Sequence, residues 1–310
     1  MAGNANTQTI ATLTQENKTF YNKTLLSRLL PNLVYQKYGQ KKPMPKNEGD
    51  TVNFRRFNSL TPKTTPLTEG ETPDGSALSI TTVTATVKQY GDYVTISDKL
   101  DLVAIDPVIT ETTQLLGESG ALLIDTIVRD EIIAGTNVQY AGGKEGTDSI
   151  TKTDVITSTE IRKAVRTLRK NNAKPQNGKH FIGIIDPEVA YDIMNDPLWQ
   201  DISKYSGGVA IMDGEVGRLG GVRFIETTNV QVKNNSSSVP IHYTMIIGKD
   251  AYGVVDVDGS VKPQTIIKPH GSAGTADPLN QRATVGYKTM FTAKRLDEFS
   301  MIRIESAASE

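Results

Sequence analysis

Three histidines, His180, His242 and His270, are the only imidazoles in 310 residues and so the first candidates for acid–base or metal chemistry. They lie far apart and lack a metal-ligand spacing, and all three read as structural residues. Cysteine is absent, which excludes disulfides and thiolate metal sites. The glycines 207, 208, 214, 217, 220 and 221 would suit a phosphate cradle, where bare backbone N–H groups approach an anion. They lack a GK[ST] ending and do not match GxGxxG after a strand, so turns and close strand packing account for them better. Asp256-Val257-Asp258-Gly259 starts like a calcium loop, but Ser260 and Val261 stand where a ligand and a glycine are needed, so a hairpin turn is the reading. No GxSxG nucleophile elbow is present. Carboxylates are plentiful but unpaired in any telling way. The expectation is no catalytic, cofactor or metal site.

One charged group stands out. Arg162, Lys163, Arg166, Arg169 and Lys170 share the outer face of a predicted helix that begins at a Thr157/Glu160 capping box and buries Ile161, Ala164, Val165 and Leu168. Two readings stay open. The plain one is a solvated face, with cations well placed near a helix C-terminus. The functional one is a contact with DNA or another polyanion. The whole chain carries 34 Lys+Arg against 35 Asp+Glu, net −1. A dedicated DNA-binding protein shows a basic excess, because its affinity comes from displacing counterions from phosphate. Any DNA contact here is expected to be weak, local and independent of sequence.

The elements that must position these residues are legible. Apolar residues are 37% and charged residues 22%, with a mean hydropathy of −0.33; a folded protein is expected. No apolar run approaches a membrane span, and the polar start predicts no secretory signal. Residues 15–30 suggest a short helix, with Phe20, Leu25, Leu26, Leu29 and Leu30 apolar and Pro31 ending it. Residues 41–49, with two prolines and Gly49, read as an extended arm. From Thr51 the period becomes two. A strand at 51–57 and a long threonine-rich run at 78–98 flank a loop at 59–77 that holds Pro62, Pro66, Gly70, Pro73 and Gly75. That is a two-stranded arm with an irregular tip. Loops of this length with no structure of their own are usually functional or disordered. Leu67, with Lys63, Glu69 and Glu71, gives the tip its means of touching a neighbour.

The strongest helix is predicted over 106–134, capped by Asp106 with Pro107 at its first position. Ile105, Val108, Ile109, Leu116, Leu123 and Ile127 follow helical spacing, Leu115, Leu122, Ile124, Val128 and Ile132 widen the stripe, and Gly135 stops it. Its length would be roughly 40 Å. Further strands are expected at 180–186, across 198–262 with a hairpin over 254–261 turned at Asp258-Gly259, and at 284–291 and 299–304. A short helix is expected at 187–195 and a polar loop at 271–277. The class is α+β.

Several fragments, in order, resemble one family. They are Pro66-Leu-Thr-Glu-Gly-Glu-Thr-Pro73, Val87-Lys-Gln-Tyr-Gly-Asp-Tyr-Val-Thr-Ile-Ser-Asp98, Asp186-Pro187, Gly220-Gly-Val-Arg-Phe-Ile-Glu226, Asp277-Pro-Leu-Asn-Gln-Arg282 and Val285-Gly-Tyr-Lys288. The ordered set is similar to the major capsid proteins of tailed bacteriophages over nearly the whole chain. The resemblance implies the tailed-phage capsid fold. Its parts would be an N-terminal arm at 1–49, an extended β-hairpin loop at 50–98, a spine helix with the peripheral domain at 99–186, an axial domain at 187–276, and a return to the peripheral domain at 277–310. It also implies self-assembly as pentamers and hexamers into an icosahedral head around double-stranded DNA, in the virion, after assembly in the host bacterial cytoplasm. The implied partners are a separate scaffolding protein, a portal protein and, as a further option, a decoration protein, with no membrane. The rival readings are an encapsulin-like nanocompartment shell of the same fold, a β-rich adhesin or tail component, and an enzyme.

Overall fold

A computed structural model describes residues 33–43, 49–103, 108–176, 178–199, 215–255, 263–272 and 277–309. Among the described residues, a 3-10 turn (Tyr35–Tyr38) precedes β1 (Gln40–Lys42), β2 (Thr51–Phe57), β3 (Ile80–Thr86) and β4 (Lys88–Ser97), then α1 (Asp98–Val103) and α2 (Val108–Ile133). β5 (Val138–Tyr140), α3 (Ser158–Lys170), β6 (Phe181–Ile185) and α4 (Pro187–Asn195) follow. Then come β7 (Glu215–Leu219), β8 (Val222–Glu226), β9 (Val232–Asn234), β10 (Pro240–Ile247) and β11 (Tyr252–Val255). The last strands are β12 (Gln264–Lys268), β13 (Arg282–Phe291), β14 (Ala293–Arg295) and β15 (Met301–Ser306). This mixture of helix and sheet is the expected α+β class. The helix predicted at 15–30 and the Asp106-Pro107 cap lie outside the described residues.

α2 is the long helix, 26 residues or about 39 Å. It buries Thr112, Thr113, Leu116, Gly117, Gly120, Ala121, Ile124, Asp125, Val128, Ile132 and Ile133. Leu115 and Leu122 do not widen that stripe. They are 64% and 56% exposed. Seven residues apart, they share the opposite side, while the small residues Gly117, Gly120 and Ala121 take the inner face. There the helix packs against β13 and β14.

The inner face also carries a carboxylate. Asp125 Oδ1 accepts the backbone N–H of Val34 at 3.0 Å, of Tyr35 at 2.7 Å and of Gln36 at 3.4 Å. Asn229 Nδ2 donates to its other oxygen at 3.4 Å. Tyr35 is fully buried, and its carbonyl accepts a hydrogen bond from the Tyr252 hydroxyl. Just beyond, β1 pairs in parallel with β11, Gln40 opposite Gly253. Within the expected N-terminal arm, Leu33 and Tyr35 thus join the main core, while Lys37, Gln40 and Lys41 stay exposed. β14 occupies the other edge of β11. Of the hairpin expected over 254–261, only Val254 and Val255 are among the described residues. The turn itself lies outside the described residues.

β5, β15, β10, β6, β8 and β7 form the main sheet in that order, with β9 also paired to β10. Its central strands are buried on both faces, which explains continuous apolar runs such as Phe181-Ile-Gly-Ile-Ile185. Ile182, Ile184, Ile241, Tyr243, Met245 and Ile247 face the core shared with α2. Phe181, Ile185, Val222, Phe224, Ile246, Ile302 and Ile304 face a second core under α3 and α4. Gly183 stands opposite Phe224, and a Cβ there would lie 2.6 Å from that ring. The sheet takes strands from both sides of the expected boundaries at 186 and 276.

Helix ends follow the expected chemistry. Thr157 caps α3 by accepting the N–H of Glu160 at 3.4 Å. The Glu160 carboxylate does not complete the box: it bonds Lys163 Nζ at 2.8 Å and Gln139 Nε2 at 2.7 Å. Asp186 caps α4 through Val189 N–H, with Pro187 in the first turn.

Candidate assembly surfaces

β2 and β3 pair antiparallel in full register from Thr51 opposite Thr86 to Phe57 opposite Ile80. Val52, Phe54 and Ala85 are buried at the base of this ladder, and Val83 is half-buried. From Arg55 to Thr82 every residue is exposed. The ladder thus roots in the body and then leaves it. Phe54 fits because Gly253 has no side chain: a Cβ there would lie 2.3 Å from the ring. Arg56 ties the root to Asp297 at 2.8 Å. On the exposed side of the ladder and beyond the root, cross-strand polar pairs stand in for a core. Thr84 Oγ1 donates to Asn53 Oδ1 at 2.7 Å, Thr81 Oγ1 to Asn58 Oδ1 at 3.1 Å, and Asn58 Nδ2 to Ser79 Oγ at 2.8 Å.

The expected tip at 59–77 has no regular structure. Leu67 is 75% exposed, and Phe57, Leu60, Leu78 and Ile80 along the arm are exposed too. Lys63 does not pair with Glu69 or Glu71. Its ammonium donates to the Asp74 carbonyl and closes the tip on itself, leaving both glutamates exposed without an ion pair among the described residues. The aromatic and branched residues flanking the tip were missed in the sequence, where alternation alone did not say on which side the core would be absent.

The long run expected at 78–98 is divided at Val87. Its first half pairs with β2 and its second, β4, pairs with β13 from Ser97 opposite Arg282 to Lys88 opposite Phe291. β4 is an edge strand with Tyr93 and Val94 exposed, an unpaired row of backbone groups available to another chain.

α3 presents the basic set. Arg162, Arg166, Arg169 and Lys170 are exposed and Lys163 half-buried against Glu160. The first four line a groove of about 560 Å³ with Val165 and Gly220. Its far wall is the two-residue turn joining β7 to β8, where Gly220 and Gly221 have φ of +61° and +92°, as a type I′ turn requires. Of the expected glycine-rich stretch, 207, 208 and 214 lie outside the described residues.

The fold collects one further group that spacing missed. His242 on β10 contacts the Asp186 carboxylate through Nδ1, and its Nε2 lies 3.3 Å from Glu188 Oε2. Burial opposes charging of this imidazole, but the hydrogen bond to Asp186 and the charges of Asp186, Glu188 and Asp192 raise its pKa overall. A histidine on a strand meets an Asp-x-Glu at a helix start far away in the chain, so no local motif marks the set. His180 and His270 are not part of it; His270 lies 3.7 Å from Asp101. Asp125 left a clearer trace, a carboxylate inside an apolar helical stripe. Burial pushes it up to about 6, against the hydrogen bonds from Tyr35, Asn229, Gln36 and Val34.

Residues 80–304 match the family model described as phage capsid protein. Among curated proteins none matches by sequence. The fold is similar to the capsid of Ralstonia phage GP4, at TM-score 0.70 and 16% identity over 88% of each chain. It is also similar to the capsid of cyanophage P-SCSP1u, at 0.66 and 15% over 89% of each, and to that of cyanophage Pam1, at 0.66 and 16% over 92% of this chain and 93% of the other. With the family model covering most of its length and the capsid fold over nearly all of it, this chain belongs to the phage capsid protein family.

Proposed function

We propose that the chain is the major capsid subunit of a tailed phage, forming pentamers and hexamers that close into an icosahedral head around double-stranded DNA. The observation that carries this reading is the arm from Arg55 to Thr82, a short β ladder with an irregular tip in which every residue is exposed. Such a ladder finds its apolar contacts on a neighbour. Leu67, Glu69 and Glu71 would meet that neighbour, with Lys63 holding the tip in shape. In a closed shell each subunit repeats these contacts, and individually weak contacts add.

The seven-stranded sheet with α3 and α4 would be the axial unit, and α2 with β4, β12 and β13 the peripheral one. This grouping moves 136–186 and β15 from the peripheral to the axial side, and β12 the other way. The basic groove on α3 would meet packaged DNA without reading its sequence. A separate scaffolding protein and a portal would complete the head. Coexpression with the scaffolding protein, followed by sedimentation and electron microscopy, tests the reading. Closed shells or capsomers are the expected outcome. A monomer under all these conditions refutes it, and native particles filled with an enzyme instead of DNA point to a nanocompartment.

A further inference from the structure

His242 sits between carboxylates in a way a neutral imidazole does not tolerate. With Nδ1 donating to Asp186, Nε2 carries a lone pair and lies 3.3 Å from a second acceptor, Glu188 Oε2. The His242 side chain is only 3% exposed, and Nε2 has no hydrogen-bond partner among the described residues. Two acceptors at that separation repel unless a cation lies between them. The cation is a proton or a metal ion.

The geometry favours the metal. Ligand atoms on a tetrahedral ion with bonds of about 2.0–2.1 Å stand about 3.3–3.4 Å apart, the separation found here. A proton bridge should instead shorten and align, yet no hydrogen bond forms. Asp186 is too close to Nδ1 to share an ion with it and takes the other role, fixing tautomer and ring orientation as carboxylates do behind metal-bound histidines. Its second oxygen accepts the Val189 N–H at 3.3 Å, which fixes the carboxylate in turn. Glu188 is 65% exposed, so the ion would keep open positions for water. Asp192 on the next turn of α4, bonded to the Ser309 N–H at 3.1 Å, adds negative charge nearby.

We propose that His242 Nε2 and Glu188 bind a first-row divalent cation of the zinc class, oriented by Asp186, which pins α4 to β10. The full-length protein, stripped with chelator, is titrated with Zn2+ alone by calorimetry, and with Co2+ alone for the visible absorption of a four-coordinate site. One ion per subunit, with a rise in melting temperature, is expected. Glu188→Gln changes an exposed side chain and should leave the fold intact while weakening Zn2+ binding at least tenfold. Asp186→Asn, a positioning change, should weaken it by about 10–100-fold. Absence of Zn2+ and Co2+ binding overturns the proposal, as does binding that Glu188→Gln leaves unchanged. Melting that responds to pH through Glu188 but not to either metal assigns the bridge to a proton and overturns it too.

Discussion

Replacing Asp125 by asparagine removes one titration and little else. Burial raises the carboxyl from 3.8 to about 6. The folded subunit therefore keeps this proton at pH values where the unfolded chain has released it. The stabilisation is fully present below about pH 4 and is lost as pH rises through about 6, because the folded state binds more protons across that window. A shift of about two units at ~1.4 kcal/mol each makes the loss ~3 kcal/mol. The substituted amide stays neutral throughout, and its carbonyl still accepts the N–H groups of residues 34–36. Its nitrogen meets the Asn229 nitrogen and forfeits the 3.4 Å contact, which costs ~1 kcal/mol. The variant should thus be less stable than wild type by ~1 kcal/mol at pH 4 and more stable by ~2 kcal/mol at pH 7. Urea unfolding of unassembled subunits at several pH values gives both curves, and their difference isolates this residue. A difference that stays flat from pH 4 to 7, or a variant less stable at pH 7, refutes the argument.

Three other outcomes follow from the same structure. Exchanging residues 59–77 for a short Gly-Ser turn should leave unfolding within ~0.5 kcal/mol of wild type, since the segment is fully exposed, while shells fail or become fragile; normal shells would remove the arm from assembly. Gly253→Ala should cost ~1–3 kcal/mol by driving a methyl into Phe54, read as a lower melting temperature that Phe54→Leu in the same chain partly restores. Reversing Arg162, Arg166 and Arg169 to Glu should preserve empty shells and weaken DNA retention in a salt-dependent way, measured as DNA released on raising ionic strength; unchanged retention removes α3 from the DNA contact.

Local pattern carried the sequence reading a long way. Helical spacing found α2 and α3, and Thr157 marked a helix start because capping needs only neighbours in the chain. What escaped depends on distant partners. Leu115 and Leu122 fit an apolar stripe by spacing, but the contact with β13 selects the face of Gly117, Gly120 and Ala121. Tyr35 looked like part of a loose arm because Asp125 and Tyr252, which bury it, come from far along the chain. The break at Val87 is invisible in a continuous β-type run, since β2 and β13 compete for its two halves. His242 lacked a motif because its carboxylates arrive from another element.

The placement of β15 has a consequence for how the subunit is made. This strand lies inside the main sheet, with β5 along one edge and β10 along the other. A ribosome releases β5, β6, β8 and β10 well before Met301–Ser306. Until that strand emerges, β5 has no partner in the sheet and β10 has an open edge. β1 likewise waits for Tyr252–Val255 to be synthesised. Pairings between such distant residues form slowly, so a nascent chain stays unfinished until its late strands are out. Synthesis order thus sets when the main sheet can close.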